Sequence, residues 1–355
     1  MTPAPRPTCL RLATAALMLI GLQLPILPAV GAPAATAAGT ASKAPTAETL
    51  LRRIVLAQAN LEFQGEVDIN GESVLTVTHG QGRRQRHELH SPAALAGDVV
   101  IDNGSLRWHL SPQSAEADVN PSEQVPLPVN ARLALIHKNY ELAVLGAAQI
   151  AKSPTWILGL RSRHEAGIEH RLFVSGPGLA LRTERWRDRS LVDYSVFTSI
   201  DWKPKLTLAL FEPTLPAGAN IKPAIRILAS GPSTDSFAGR LTFRPHLPKQ
   251  LPNGFQVAIV RLYKTRDSEA PTVHWRMTDG LSSLSLFCRQ STPWQMPKDS
   301  QPVNLANGVQ AARMDRGINM MLIWQAGGMR YSLVGPVNLS TLIATAKETL
   351  RPGVS

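Results

Sequence analysis

The chain has 355 residues, 44% of them hydrophobic, and carries 37 Lys and Arg against 26 Asp and Glu, a formal net charge of +11. That charge calls for an anionic partner, yet no helix-turn-helix, zinc-finger or RNP-like pattern is present, which argues against nucleic acid. Only two cysteines exist, Cys9 and Cys288, too few for a disulfide framework or a thiolate zinc site once Cys9 is removed as described next.

Arg6 and Arg11 stand without an acidic partner ahead of the apolar run Leu12 to Val30, and the small residues Gly31 to Ala38 follow. This order predicts a secretory signal peptide over residues 1–34, cleaved near Ala34, and then a disordered tail over 35–46. Pro25 and Pro28 interrupt the run, so a permanent membrane anchor is not expected. Cys9 precedes the apolar run and leaves with it. Cleavage leaves 35 basic against 26 acidic residues, a net charge of +9, on a soluble periplasmic chain of a length that suits two domains.

Leu50, Ile54 and Leu61 recur at helical spacing, with Leu51 and Val55 widening the stripe and Thr46 or Thr49 as cap, so one amphipathic helix opens the folded part. The period then changes to two. Phe63 to Ile69, Ser73 to His79, Arg84 to His90, Val99 to Ile101 and Ser105 to Leu110 read as hairpin-connected antiparallel strands. Leu106, Trp108 and Leu110 fall on one face, Arg107 and His109 on the other. After a loop with Pro112, Pro121, Pro126 and Pro128, Asn130 to Tyr140 predicts a short helix capped by Asn130 and carrying Leu133, Leu135 and Ile136. Further strands are expected at Leu142 to Leu145, Trp156 to Arg161, His170 to Val174, Ala180 to Trp186 and Leu191 to Trp202.

A meander of about ten strands with few helices curls into a half or full barrel plugged by those helices. This first domain spans 47–212. Residues 213–242, rich in Pro, Gly and Ser, read as linker and crossover. A smaller α+β domain follows over 243–351, with strands Phe255 to Tyr263, Thr272 to Thr278, Leu281 to Cys288, Gly308 to Ile318, Asn319 to Ala326 and Met329 to Val334, closed by a helix Asn338 to Leu350. The fold class is α+β, mostly antiparallel β.

The segments Ala59-Asn-Leu-Glu-Phe-Gln-Gly65, Val99-Val-Ile-Asp-Asn-Gly104 leading to Leu110-Ser-Pro112, Tyr140-Glu-Leu-Ala-Val-Leu-Gly146 and Ala151-Lys-Ser-Pro-Thr-Trp-Ile-Leu-Gly-Leu-Arg161 follow one another in the first domain. His170 to Arg182, Leu251-Pro-Asn-Gly-Phe255, Thr278 to Phe287 and Tyr331-Ser-Leu-Val-Gly335 continue the series. In this order they resemble the RseB/MucB family of periplasmic sigma-factor regulators, whose first domain is similar to lipoprotein carriers of the LolA type. Ser175-Gly-Pro-Gly178 departs from the family's usual acidic turn. The resemblance implies a protein that holds the periplasmic domain of a membrane anti-sigma factor, shields it from regulated proteolysis, and lets go when lipopolysaccharide or lipoprotein acyl chains bind. It carries no catalytic residue and no cofactor. Self-association is left open, and a periplasmic carrier of lipoproteins or lipids is the alternative.

Chemistry of other kinds finds no support in the residues. Nucleophilic catalysis lacks G-x-S-x-G, S-x-x-K and any thiol beyond Cys288, so an enzyme is not expected. His87 and His90, three apart in a strand, face opposite sides and hold no metal. Gly176-Pro-Gly178 joins two strands and is a turn, not a phosphate loop. Two basic clusters, Arg83, Arg84, Arg86 and Arg182, Arg185, Arg187, Arg189, suit phosphates or acidic peptide, or protect strand edges. Trp108, Leu135, Trp156, Phe173 and Trp186 are the expected ligand-binding lining of the first domain's concavity, where each buried CH₂ of an acyl chain contributes about 0.8 kcal/mol.

Overall fold

A computed structural model describes residues 44–350 apart from 105, 113–115, 123, 125–126, 216–219, 224, 246, 249–250, 252–253, 266–267, 292–294 and 317–318. The expected signal peptide and residues 35–43 of the expected tail lie outside the described residues. Helix α1 (Ala47–Asn60) starts where Thr46 accepts a hydrogen bond from the Thr49 amide at 3.1 Å, and it buries Leu50, Leu51, Ile54 and Val55 while Arg52 and Arg53 stay in water. Strands β1 (Phe63–Ile69), β2 (Ser73–Gly80), β3 (Arg84–Leu89), β4 (Val99–Asp102), β5 (Leu106–Leu110) and β6 (Glu116–Pro121) follow as an antiparallel meander. β6 lies in what the sequence reads as a proline-rich loop; Ala117 and Val119 alternate into the interior, and Pro121 falls past the last residue that pairs outward.

Helix α2 (Val129–Asn139) begins after Pro128 with no side-chain cap, so Asn130, the expected cap, sits instead in the first turn. It hands over directly to β7 (Tyr140–Ile150), followed by β8 (Ser153–Ser162), β9 (Ile168–Ser175), β10 (Ala180–Arg187) and β11 (Ser190–Asp201). The arrangement is not one meander. β11 returns to pair with β1, so two meanders join there, and with β12 (Asn220–Pro223), parallel to β6, the order is β12-β6-β5-β4-β3-β2-β1-β11-β10-β9-β8-β7. The curved sheet never closes, and β7 and β12 are its edges: a half-barrel. Helices α1 and α2 plug one face, packing Leu50, Leu51, Ile54, Val55, Leu133 and Ile136 on Tyr140, Leu158, Leu160, Leu172 and Val174.

A strap from Lys203 to Phe211 crosses the opposite face. Phe211 and Leu206 cover Ile101, Trp108 and Val119, and Arg86 Nη1 donates to the Leu210 carbonyl at 3.3 Å. Phe211 lies so close to Gly80 that a Cβ there would meet its ring at 2.7 Å. Gly80→Ala therefore pushes the ring off its seat and is expected to cost about 1–2 kcal/mol by overpacking. A urea melt reads this as a lower midpoint at unchanged slope, and a Phe211→Leu background should relieve most of it.

Residues 213–242, expected as linker and crossover, hold β12 in the first sheet and β13 (Ile225–Gly231) in the second. The second sheet, in the order β13-β14-β15-β16-β20-β19-β18-β17, comprises β14 (Gln256–Thr265), β15 (Ser268–Thr278), β16 (Ser283–Gln290), β17 (Gln301–Asn304), β18 (Gln310–Arg316), β19 (Asn319–Ala326) and β20 (Met329–Gly335). Helix α3 (Leu339–Glu348), capped by Asn338 accepting from the Thr341 amide at 2.9 Å, lays Leu342 and Ala346 on Val260, Trp275, Leu286, Leu322, Trp324 and Leu333. Phe237 belongs to this core, so it draws on residues before position 243. Trp324 Nε1 donates to Thr349 Oγ1 at 3.0 Å, which satisfies the indole's polar edge.

Candidate binding faces and the interdomain junction

Strand alternation and register give every residue of the half-barrel a face. Leu172 and Val174 meet the helices, and stepping through Thr183, Ser195, Ile69, Ser73 and on to Leu75, Leu89 and Val100 stays on that same face. Trp156, partnered with Val174, lies on it and packs beside the helix cluster. Leu135 is buried on α2 but outside that cluster. The other three expected lining residues lie on the opposite face. Trp108 is 8% exposed beneath the strap.

Phe173 lies under the Arg182 guanidinium, 5.7 Å from the ring centroid, and Arg182 also stands 5.0 Å over Tyr194. Trp186 lies 4.3 Å under Arg171 and donates from Nε1 to Glu184 Oε2 at 2.8 Å. The structure thus does not bring the five together on one surface. The same contacts account for much of the basic clusters: Arg182 pairs with Glu184 at 2.7 Å, Arg86 with Glu88 at 2.6 Å and Arg185 with Asp193 at 2.7 Å.

The helix-bearing face is part apolar and part polar. Val67, Ile69, Leu75, Val77 and Phe197 form a cluster of their own beyond the helices. They come from three adjoining strands, β1, β2 and β11, and alternate along β1 and β2. Beside them stand titratable groups. Burial pushes the His87 imidazole down to about 4, with Arg107 and His79 adding to the shift, and burial with the Arg185 charge pushes His170 down to about 3. Arg185 is 7% exposed; burial lowers its pKa, while the neighbouring Asp193 carboxylate opposes the shift.

Where α2 becomes β7 the first unit grips the second. Asn139 Nδ2 donates to the carbonyls of Gly254 and Asp279, both at 2.8 Å, and its Oδ1 meets His164 Nε2 at 3.0 Å. The Tyr140 hydroxyl donates to Asp279 Oδ2 at 2.6 Å, and Arg132 Nε donates to the Gly280 carbonyl at 3.0 Å. Asp279 Oδ1 also accepts from the amides of Leu281 at 2.9 Å and Ser282 at 2.6 Å. Burial raises the Asp279 pKa against the pull of these donors and raises Tyr140 as well. Farther along, Thr341 Oγ1 donates to Glu165 Oε1 at 2.8 Å and Arg261 Nη2 to the Ser122 carbonyl at 3.2 Å. Gly254, at φ +87, and Gly280, at φ +98, admit the close approach: a Cβ would meet Asn139 Oδ1 at 2.6 Å at the first and Ile136 Cγ1 at 2.8 Å at the second.

Among the described residues no group of three or more His, Cys, Asp and Glu is placed to hold a metal, and no helix is long and apolar enough to cross a membrane. Cys288 is buried, and burial pushes its thiol up to about 12, which leaves little thiolate to react.

No family model and no curated protein matches the sequence. Among solved structures the chain is similar to Pseudomonas aeruginosa MucB in its complex with MucA, with a TM-score of 0.56 and 18% identity over 87% of this chain and 99% of that one. A MucB structure in complex with MucA(peri) gives 0.52 and 17% over 87% and 100%, and a structure of MucB gives 0.51 and 17% over 86% and 96%. At these identities the likeness is one of fold, and the resemblance to the RseB/MucB family holds across both sheets.

Proposed function

We propose, starting from a fold shared with MucB across both sheets, that this chain is an exported, non-enzymatic regulator that acts in the periplasm by stoichiometric binding. It holds the periplasmic domain of a membrane anti-sigma factor and releases it when envelope lipid or lipoprotein signals bind. The observation that carries the reading is the fit over 87% of the chain to a MucB bound to its partner, both sheets included. A carrier of the LolA type needs the half-barrel alone; here a second sheet with its own core is joined to it by a buried polar junction. For acyl chains we propose the helix-bearing face, keeping Trp156 and Leu135 and adding Val67, Ile69, Leu75, Val77 and Phe197. Acyl chains and the anti-sigma segment then oppose each other by reciprocal linkage.

The test is capture of the periplasmic segment of the neighbouring anti-sigma factor by the mature chain, with and without lipopolysaccharide or lipoprotein fragments. Capture that lipid weakens is expected. Lipid retention without any capture of the segment would sink the regulator and leave the carrier.

A further inference from the structure

The strap that crosses the half-barrel opposite the helices has an outer side as well as its two anchors. Along its extended part exposure alternates: Leu206 packs on the sheet and Pro204 is partly buried, while Lys203, Lys205 and Thr207 face water. The strap then tightens into a turn over Leu208–Phe211. The Leu210 amide donates to the Thr207 carbonyl at 3.1 Å and the Glu212 amide to the Ala209 carbonyl at 3.2 Å. This turn sends Phe211 inward and Leu208, Ala209 and Leu210 outward. Leu208 is 66% exposed, more than any other large apolar side chain among the described residues, and Leu210 is 36% exposed.

A single exposed leucine is ordinary. Here two stand on one turn whose backbone is fixed from below, by Arg86 on the Leu210 carbonyl and by the Phe211 ring against Gly80. They cannot fold back without unseating Phe211. A side chain so exposed lines no groove, so a small ligand has little to fill. A fluid lipid surface, in contrast, takes up protruding leucines without a pocket of matching shape.

The charges around the tip select the kind of surface. Lys203 and Lys205 are the only charged residues between Trp202 and Phe211. Arg84 lies on the same sheet face as Arg86 and is the direct partner of Gly80, so it stands beside the seat of Phe211. Asp201 and Glu212 bracket the strap, and Asp201 Oδ1 accepts from the Lys203 amide at 2.9 Å. Basic side chains beside an apolar tip match phosphates lying above an acyl layer. An acidic protein would match the charges but would have to supply a pocket for both leucines.

We propose that the strap is a membrane-contact site, at which Leu208 and Leu210 enter the headgroup layer of an anionic lipid surface and Lys203, Lys205 and Arg84 meet its phosphates. The site lies on the face opposite the one proposed above for acyl chains and does not depend on it.

Co-sedimentation of the mature chain tests this with vesicles of phosphatidylglycerol and phosphatidylcholine in equal parts, and with vesicles of phosphatidylcholine alone. The anionic vesicles are expected to bind about ten-fold more tightly, and most of that binding should go when salt rises from about 50 mM to about 500 mM. Replacing both strap leucines, Leu208→Ser with Leu210→Ser, should weaken binding about ten-fold, and so should Lys203→Gln with Lys205→Gln. Leu145→Ser removes an exposed leucine from the edge strand β7 and should bind like the parent chain. All these side chains are exposed, so the variants should melt with the parent. No vesicle binding, parent-like binding by the leucine pair, or an equal loss in Leu145→Ser would overturn the site, and equal binding to both kinds of vesicle would overturn the role of the basic residues. Capture of the anti-sigma segment is measured without vesicles, so the regulator reading and this one fail separately. If the leucine pair abolishes capture while the parent ignores vesicles, the tip belongs to a protein partner and the membrane proposal falls.

Discussion

Asp279→Ala lowers the unfolding free energy by about 3–4 kcal/mol, because it orphans three donors at once. The Tyr140 hydroxyl and the amides of Leu281 and Ser282 all end on this one carboxylate. Tyr140 is 4% exposed, so water does not readily replace the lost acceptor. Asp279→Asn keeps an oxygen for the two amides and offers Tyr140 a donor toward which its hydroxyl can turn, so its cost is expected to be about 1–2 kcal/mol. Tyr140→Phe removes one bond and leaves Oδ2 unmet, again about 1–2 kcal/mol. Chemical denaturation followed by tryptophan fluorescence reads all three, since Trp108 reports on the half-barrel and Trp275 and Trp324 on the second core. An Asp279→Ala midpoint within error of the parent chain would mean that the junction is not holding the units together.

Acidification is expected to destabilise the fold well before carboxylate titration alone would do so. His274 is 5% exposed, stacked at 4.3 Å on Phe287 and bonded to Ser285 Oγ at 3.0 Å; burial and the charges of Arg261 and Arg276 hold it down to about 3. A histidine whose folded pKa lies below its unfolded value near 6.5 binds more protons unfolded than folded. Stability is thus intact above about 6.5 and drains away as the pH falls toward the folded pKa. Between pH 7.5 and pH 5 a fully buried imidazole of this kind costs about 2 kcal/mol. His87 and His170, partly exposed and held to about 4 and about 3, add smaller amounts in the same window. Asp193 and Asp279, whose pKa values burial raises, act in the opposite sense near the lower end of the range. The net loss by pH 5 is expected to be about 3–4 kcal/mol, and His274→Phe should remove about 2 kcal/mol of it. A pH slope unchanged in that variant would show that His274 takes up its proton as readily in the folded state as in the unfolded one.

Strands with strong alternation and a committed turn were legible to the residue: Phe63–Ile69 ends on Asn70-Gly71, and Asn319–Ala326 on Gly327-Gly328, all four at positive φ. The strands that escaped were β6, β12, β13 and β17, all at or beside sheet edges. β17 is four mostly exposed residues, and β12 finds its partner β6 about a hundred residues back in the chain, so neither leaves a local periodic signal. The candidate lining divides between two faces for a related reason. Alternation rightly groups Leu106, Trp108 and Leu110 on one face, but it says nothing about which face the helices occupy. What covers Trp108 is Phe211, a hundred residues later. Phe173 and Trp186 looked like apolar lining because the arginines that roof them, Arg182 and Arg171, belong to neighbouring strands.

Between Pro223, the last residue of one sheet, and Ile225, the first of the other, lies a single residue. Two consecutive trans peptide steps reach at most about 7.6 Å between Cα atoms. That corner therefore stays together as long as the two edge strands keep their pairing. While β12 and β13 stay paired in their sheets, sliding at that corner is limited to this reach and rotation is the larger freedom, like a door hung on one pin. For such a door the Tyr140 and Asp279 contact is the latch, and a ligand that pries the units apart does so with the leverage of its distance from the pin.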